Sequence, residues 1–380
     1  MLSTIKREIR YLLTHKWDLC MVSLAPLCII ILFCSMFYSG KAEHVPIAII
    51  NQDHSELSHT IEKYLKLNTT LHVQQISEDQ TEVEKNLNQT RIWGYVMIPE
   101  GAEQRLVKGE DAQISIVYNQ SYFSIGNTIS SAMLLSTVQA STDFLKNNYF
   151  VNEIPYIDID IDTAHIKISP LFNPNLNYEL YLEPFVIPAV LHLLLCCCIA
   201  FSVGQELKLN TTQQWRDSTT VLQAIFAKSF VYVIIFCFWT WLWMFWLIVI
   251  RGWTVAGSLS LILFAQFLFY LAYALISVTV VLATKNLSKT FGFLAVYGGS
   301  SLSFAGVTLP LNNAPLFTKF WSNIIPYTPY AKLQTEQWVI GSPPTTSLTP
   351  LFILTLYCIF YLAISGTLLK KIIWGAVNEK

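Results

Sequence analysis

Long apolar runs alternate with polar segments along the chain, and each run is about as long as a helix that crosses a membrane. A helix needs roughly 20 apolar residues to cross the hydrocarbon core of a bilayer, where it satisfies its own backbone hydrogen bonds. The runs predict a helical membrane protein with six transmembrane helices, at 19–38, 184–203, 229–250, 255–284, 291–309 and 350–369. The fifth run is the weakest of these because it contains several glycines and serines.

Residues 1–18 form a predicted amphipathic helix ahead of the first span. The helical period separates an apolar stripe from a basic one, a pattern typical of a helix that lies on the cytoplasmic membrane surface. The stripes are Leu2, Ile5, Ile9, Leu12 and Leu13, and Lys6, Arg7, Arg10 and Lys16. The alternative is a solvated extension of the first span. The run at 19–38 is longer than the apolar core of a signal peptide, so we predict an uncleaved anchor.

Residues 39–181 have the periodicity of a small α/β domain inserted between the first two spans. Short apolar runs predict strands at 45–51, 70–76, 92–99 and 112–119. Amphipathic segments predict helices at 55–67, 77–87 and 100–109, and a longer helix at 121–150. The chain would then return to the membrane for the spans of 182–380.

The segment "YIDIDIDTAHIKI" follows the long predicted helix and alternates isoleucine with aspartate. On a strand this alternation places Asp158, Asp160 and Asp162 on one face. Three carboxylates on one face are a possible divalent cation site. A solvated edge strand protected by its charges explains the same pattern and is the preferred interpretation.

Composition and charge support the membrane assignment and orient the chain. Only 13% of residues are charged, against roughly 25% in soluble proteins. Lysine and arginine concentrate at the N-terminus, between spans two and three and spans four and five, and after span six, which predicts cytoplasmic termini. Residues 39–181 contain 18 Asp and Glu against nine Lys and Arg, so this predicted extracytoplasmic domain is unsuited to nucleic acid. All eight cysteines lie in the apolar runs, which excludes a disulfide framework there.

Motifs for catalysis are missing from the sequence. It contains no G-x-x-x-x-G-K-[ST], H-E-x-x-H, G-x-S-x-G or zinc-spaced C-x-x-C pair, so we predict no catalytic, cofactor-binding or metal-binding residue in this chain. His192 is the intramembrane polar candidate because polar groups in spans are costly. A helix–helix hydrogen bond explains His192 as well as a substrate contact does.

Three stretches resemble the type-2 (ABC-2) permeases of ABC transporters, in the subgroup with a large extracytoplasmic domain after the first span. They are "VPIAIINQDHSELSHTI", "LFNPNLNYELYLEPFVIP" and "FAGVTLPLNNAPLFTKFWSNIIPYTPYAKLQTEQWVIGSP". Their order and spacing, with six spans, cover nearly the whole chain. The loop "GQELKLNTTQQW" is also similar to the family's, with Glu206, Thr211 and the later Lys228 matching. Lys208 replaces a second acid and Asn210 a glycine, although Asn tolerates the same left-handed turn.

The resemblance implies a half-transporter that pairs with a second permease subunit and with a separate ATP-binding subunit carrying ATP and Mg²⁺. It implies a bacterial cytoplasmic (inner) membrane location, export of hydrophobic or amphipathic compounds, and a docking role for the extracytoplasmic domain toward a periplasmic adaptor. The contacts to the ATPase would come from the N-terminal helix and the loop 205–224. The candidates for ATPase coupling are Arg7, Arg10, Glu206, Thr211 and Arg216, whose arginines suit anionic lipid equally well.

Segment 303–333 is too rich in proline for one span and too apolar for an ordinary loop. Irregular backbone at membrane depth is tolerated where it lines a cavity or packs in protein, so we predict a re-entrant segment that acts as an external gate. Its candidate residues are Pro310, Pro315, Phe317, Trp321 and Pro326. The alternative is an interfacial anchor that only shapes the bundle.

Two other function classes compete with a permease. A membrane-anchored receptor or adaptor would bind a ligand or partner through the α/β domain, but one span would suffice to anchor it. An intramembrane enzyme would need paired catalytic groups inside the spans, and the sequence offers none.

Overall fold

The chain forms two compact units in the computed structural model, which describes residues 2–38, 40, 43–121, 123–149, 177–212, 215 and 220–378. The smaller unit is Ser39–Asn177, and the larger one combines Met1–Tyr38 with Tyr178–Lys380. In the sequence, the smaller unit is therefore inserted between the first long apolar helix and those that follow.

Two helices begin the larger unit, α1 Leu2–Thr14 and α2 Lys16–Phe37. They are separated at His15, whose backbone is extended with φ −101° and ψ 99°. Both predicted helices are confirmed, although α2 starts at Lys16 rather than at residue 19. The long apolar helix and the shorter amphipathic one are thus distinct elements.

The packing face of α1 overlaps only in part with the predicted apolar stripe. Thr4, Glu8 and Leu12, one helical turn apart, are buried, whereas Leu2 and Leu13 are 75% and 66% exposed. The prediction that α1 is a helix is right. Leu12 and the half-buried Ile5 of the apolar stripe pack against the bundle, and Glu8 packs there without belonging to that stripe. A carboxylate is buried only where it finds partners, and Glu8 has them on two other helices.

The smaller unit is an α/β unit with a four-stranded sheet in the order β2-β1-β3-β4, in which β4 alone is antiparallel to its neighbour. Its elements in chain order are β1 Val45–Asn51, α3 Glu56–Leu67, β2 Leu71–Ser77, α4 Gln80–Asn88, β3 Gly94–Ile98, α5 Ala102–Val107, β4 Ser115–Tyr118 and α6 Phe123–Tyr149. Every predicted strand and helix up to residue 150 is confirmed in type. Asp158, Asp160 and Asp162 lie outside the described residues.

Strand β1 is buried on both faces, which explains its continuous apolar sequence. Ile47 and Ile49 join the core cluster that includes Leu57 and Ile61 of α3, whereas Ile50 joins a second cluster that includes Val83 of α4. Successive side chains of a strand point to opposite faces. The central strand therefore holds together helices on the two sides of the sheet.

Two carboxylates cap the N-termini of α3 and α5 at one end of this sheet. Asp53 lies just before α3 and caps α5, and Glu103 lies on α5 and caps α3. The Asp53 carboxylate accepts hydrogen bonds from the backbone N–H groups of Gly101, Ala102 and Glu103 at the start of α5. The Glu103 carboxylate accepts one from the N–H of Leu57 at the start of α3, at 2.9 Å. Burial opposes ionisation of Asp53, but the hydrogen bonds from Ser55 and from these N–H groups lower the pKa of Asp53 overall.

We expect Asp53→Asn to loosen the N-terminus of α5 at neutral pH by about 1–2 kcal/mol, because a charge-assisted cap is lost. A depressed carboxyl pKa stabilises the fold above the unfolded value of about 3.9 and loses that effect as the pH falls through the folded pKa. Amide hydrogen exchange of the α5 peptide in the full-length protein measures the effect. Equal protection of variant and wild type at neutral pH would contradict it.

The larger unit continues after the smaller one with helices of very different length. They are α7 Tyr178–Tyr181, α8 Glu183–Lys208, α9 Val221–Phe245, α10 Leu259–Thr284, α11 Leu287–Gly299, α12 Ser301–Phe304, α13 Leu316–Ile324, α14 Tyr327–Gln334 and α15 Leu348–Asn378. Five helices in the described ranges are long and apolar enough to cross a membrane, at 16–37, 183–208, 221–250, 259–284 and 348–374. Helix α10 is the most buried of them and packs against α8, α9 and α15. The unit is therefore a helical membrane bundle.

The predicted fifth span, 291–309, is wrong as a single helix. Helix α11 ends at Gly299, the four-residue α12 follows, and irregular backbone runs from 305 to 315. Gly298 allows close packing here, because a Cβ at that position would lie 2.6 Å from Leu193 Cδ2 on α8. The glycines and serines that weakened the prediction mark the place where the helix breaks.

Segment 303–333 folds back as two short helices, α13 and α14, separated by a break before Pro326. Pro315 precedes α13, and Pro310 lies in the irregular stretch before it. The ring of Trp321 stacks on Phe317 and its Nε1 donates to Ser300 Oγ at 2.8 Å. The interruptions expected from the prolines are therefore confirmed, while a role as a gate stays a prediction.

Candidate functional site

Helix α8 ends in a turn that positions Thr211 over Glu206. Asn210 has a left-handed backbone with φ 55°, the N–H of Thr211 donates to the carbonyl of Glu206 at 3.1 Å, and the N–H of Asn210 donates to that of Leu207 at 3.4 Å. This pair of bonds is a Schellman motif, which ends a helix with a left-handed residue. The Thr211 hydroxyl also donates to the Glu206 carboxylate. The asparagine in the glycine position therefore keeps the turn.

We expect Asn210→Gly to preserve this turn and Asn210→Val to destabilise it by about 1–2 kcal/mol, since a β-branched residue is strained in the left-handed region. The thermal unfolding midpoint of the purified protein in lipid nanodiscs measures the difference. A valine variant as stable as the glycine variant would show that the left-handed turn does not matter for stability.

Glu206 is the first of two buried carboxylates at this end of the bundle, with 7% of its surface exposed. Arg7 Nη2 of α1 donates to both of its oxygens, at 2.7 and 2.8 Å. Lys228 Nζ of α9 donates to Glu206 Oε1 at 3.2 Å. The carboxylate of α8 thus accepts charge-assisted hydrogen bonds from two other helices.

Glu8 is the second buried carboxylate, and Lys228 joins it to the first. Lys228 Nζ donates to Glu8 Oε2 at 2.7 Å, and the ammonium-bearing side chain is 3% exposed. Ser202 Oγ and the Tyr232 hydroxyl donate to Glu8 Oε1 at 2.7 and 2.8 Å. A buried carboxylate with this many donors is fully hydrogen-bonded, which is the condition under which a buried charge is tolerated.

These residues form one network with two cations and two carboxylates, which we call the charge network: Arg7, Glu8, Glu206 and Lys228, with Ser202, Thr211 and Tyr232 as neutral donors. It joins α1 to both α8 and α9. Formal charges cancel inside it, and loss of the buried Lys228 ammonium leaves the buried Glu8 carboxylate without a cation. The network therefore attaches α1 to the bundle.

Trp215, in the segment between α8 and α9, supports the network. Its ring is 1% exposed, its Nε1 donates to the Ala224 carbonyl at 3.1 Å, and Lys228 Nζ lies 5.4 Å from the ring centroid. An ammonium over an indole ring is attracted by the ring quadrupole. Trp215 therefore fixes the start of α9 beside the ammonium group.

The structure brings together three of the five predicted coupling residues, Arg7, Glu206 and Thr211. Arg10 is exposed on α1 and forms no ion pair with any residue in the described parts of the chain. Arg216 lies outside the described residues. Sequence reasoning missed Glu8 because a glutamate is normally expected on the exposed face of a helix. The available signal was its spacing of one helical turn from Leu12 of the apolar stripe.

His192 lies in a packed aromatic cluster rather than in an open site. Its ring centroid is 4.2 Å from that of Tyr273 and 5.4 Å from that of Phe269, and the residue has no exposed surface. Its Nδ1 donates to the carbonyl of Pro188, one turn earlier in α8, at 3.3 Å. These contacts favour the packing interpretation, and a substrate contact at His192 stays a prediction.

Comparison with family models gives one match, over residues 16–366, to the model described as ABC-2 family transporter protein. The match spans most of the chain, including α2, the smaller unit and the four later long helices. No curated protein is similar enough to match.

Proposed function

The chain belongs to the ABC-2 family of transporter proteins, the membrane permeases of ABC transporters, and we propose that it is the permease of an ATP-driven exporter. Its cargo in this proposal is a hydrophobic or amphipathic compound, which leaves across a bacterial inner membrane. Two copies, or this chain and a similar one, pair above ATP-binding subunits that bind ATP and Mg²⁺. Both termini of the chain are cytoplasmic in this arrangement.

The charge network is the observation that carries this proposal. A permease must convert closure of its ATP-binding subunits into movement of its helices, which requires a rigid connection at the cytoplasmic end. Helix α1 is joined to α8 by the ion pair of Arg7 with Glu206 and to α9 by that of Glu8 with Lys228, each at 2.7 Å. Its Arg10 is exposed on the surface. A helix that merely anchored a receptor would not need such a connection.

The smaller unit and segment 303–333 have the remaining roles in the proposal. The smaller unit lies on the extracytoplasmic side, where its compact α/β fold offers a surface to an adaptor protein. Segment 303–333 acts as the external gate, with Phe317 and Trp321 on its helix α13. The packing of Trp321 against Ser300 holds this segment on the bundle.

Co-purification with an ATP-binding subunit tests the proposal. The chain is expressed with a P-loop protein from a neighbouring reading frame, and the complex is assayed in liposomes for ATPase activity and for ATP-dependent transport. We expect the complex to form, and Arg10→Glu to weaken it, because the exposed cation of α1 would face the partner. Lys319→Glu, a charge reversal on α13, is the matched control.

The same experiment separates the exporter from a membrane-anchored receptor. A receptor would purify without a P-loop protein, and ATP would not change the distribution of any compound across the liposome membrane. Either result would overturn the exporter function.

A further inference from the structure

A cavity of about 320 Å³ lies inside the larger unit, between α2, α8, α9 and α11. Trp17 and Asp18 border it at the start of α2, and Cys197 and Phe201 border it on α8. It is open on one side, since Trp17 is 80% and Phe201 37% exposed. Its volume is at the lower end of the range of about 300–1,000 Å³ that is usual for small-molecule sites.

The lining combines apolar and aromatic side chains with a single charge. Asp18 is the one residue charged at neutral pH among the ten lining residues, which also include Phe291 and Tyr232. Burial and a hydrogen bond with Asp18 raise the pKa of Tyr11, so the carboxylate has a neutral partner on α1. No basic side chain in the described ranges pairs with Asp18. Its negative charge is therefore available to a ligand.

We propose that this cavity binds organic cations that carry an aromatic or aliphatic body, with the cationic centre beside Asp18. This inference names a substrate class for the exporter and so rests on the proposed function. Aromatic rings attract cations through their negative faces, and a carboxylate at the edge of an apolar cavity adds charge complementarity. A hydrocarbon tail without charge would gain only the apolar contacts.

Tyr232 connects the cavity to the charge network. Its ring borders the cavity, while its hydroxyl donates to Glu8 Oε1 at 2.8 Å. Glu8 lies on α1 and pairs with Lys228 at 2.7 Å. A ligand that presses on the Tyr232 ring therefore acts on the residue that holds α1, which makes Tyr232 a positioning residue for coupling.

Equilibrium binding of radiolabelled tetraphenylphosphonium to the complex of the full-length chain with its ATP-binding subunit, in phosphatidylcholine nanodiscs, tests the site. Tetraphenylborate has nearly the same shape and the opposite charge, and serves as the matched probe. We expect the cation to bind at least tenfold more tightly than the anion after subtraction of empty nanodiscs. Equal binding of both ions would overturn the proposal and indicate a groove that lipid chains fill.

Two variants locate the binding by independent means. Asp18→Asn removes the charge and is expected to weaken binding of the cation about tenfold, while Cys197→Trp fills the cavity without changing Asp18 and is expected to abolish it. Asp111→Asn, in the smaller unit, is the control. Unchanged binding in both site variants would overturn the assignment of the cation to this cavity.

Cysteine modification gives a second readout that needs no transport. Cys197 borders the cavity and is exposed, and Cys28 is exposed on α2 outside the lining. Tetraphenylphosphonium should slow the reaction of N-ethylmaleimide with Cys197 at least threefold and leave Cys28 unchanged, as measured by mass spectrometry of the peptides. Equal effects on both cysteines would contradict the proposal.

Tyr232→Phe tests the connection between the cavity and the charge network, because it removes the hydroxyl that donates to Glu8. The variant keeps the ring in the cavity, so tetraphenylphosphonium should bind within about twofold of wild type, but stimulation of ATPase activity by the cation should fall at least threefold. A purely structural role would change binding and stimulation together.

The exporter function and the cation site can fail separately. Binding of the cation without ATP-dependent transport would overturn the exporter function and support the site. Transport of the cation without binding at Asp18 and Cys197 would support the exporter function and overturn the site.

Discussion

We expect Lys228→Met to lower the free energy of unfolding by about 3–5 kcal/mol, the usual cost of leaving a buried ion pair with one uncompensated charge. Lys228 donates to Glu8 at 2.7 Å and to Glu206 at 3.2 Å. Methionine fills a similar volume but cannot balance either carboxylate, and Arg7 alone remains to pair with Glu206. Unfolding in sodium dodecyl sulfate, followed by circular dichroism, measures the change.

A double variant separates charge imbalance from lost packing. Glu8→Gln with Lys228→Met removes one charge of each sign, and the glutamine oxygen still accepts from Ser202 and Tyr232. We expect the double variant to recover at least half of the stability that Lys228→Met loses. If the double variant is less stable than Lys228→Met alone, the network is not held together by charge balance, and the loss comes from packing around Trp215.

The described strands and helices of the smaller unit were predictable because the spacing of apolar residues along each of them matches the period of a strand or a helix. The run 45–50 is apolar throughout because both faces of β1 are covered. The helix predicted at 55–67 is α3, with Ser55 as its N-cap. Residues three or four apart on a helix, or two apart on a strand, lie on the same face, so a short stretch of sequence shows whether that face is buried. The membrane helices follow from their length and apolarity in the same way.

The candidate site was only partly predictable because its contacts are distant in sequence. Glu206 and Thr211 were found through resemblance to a family loop, and Arg7 through the basic stripe of α1. Glu8 bonds with Lys228, which is 220 positions away, and with Ser202, 194 positions away. Nothing within one helical turn of Glu8 reveals those partners. Hydrophobicity therefore identified Leu12 on the packing face of α1 but not Glu8.

The break in the predicted fifth span has a similar cause. Its composition is apolar enough for a span, but helix length depends on what each turn packs against. Tyr297 of α11 donates to the carbonyl of Ile324, and Trp321 donates to Ser300. These bonds hold the folded-back segment against the end of α11. A local stretch of sequence does not show contacts between residues more than 20 positions apart, so it could not predict where this helix ends.

We expect Glu206→Gln to reduce ATP-dependent transport at least tenfold while the protein still folds. The substitution weakens the bonds from Arg7 at 2.7 and 2.8 Å, which attach α1 to α8. Lys228 keeps its pairing with Glu8, and Arg7 reaches solvent because its side chain is 37% exposed. No buried charge is left without a partner, so the loss of stability should stay near 1–3 kcal/mol.

The ratio of compound transported to ATP hydrolysed is the decisive measurement for Glu206→Gln. Loss of a hydrogen bond to a charged group weakens the attachment of α1 to α8 by about 1.5–3 kcal/mol, and each 1.4 kcal/mol is a factor of about ten in an equilibrium constant. Under the proposed function, α1 would still contact the ATP-binding subunit in this variant but would be attached less firmly to α8. Hydrolysis should therefore continue while transport falls. Lys6→Gln removes a charge from the exposed side of α1 and should leave the ratio unchanged. A Glu206→Gln variant that transports with wild-type efficiency would show that the ion pair from α1 to α8 serves stability alone, and that force enters the bundle through α9.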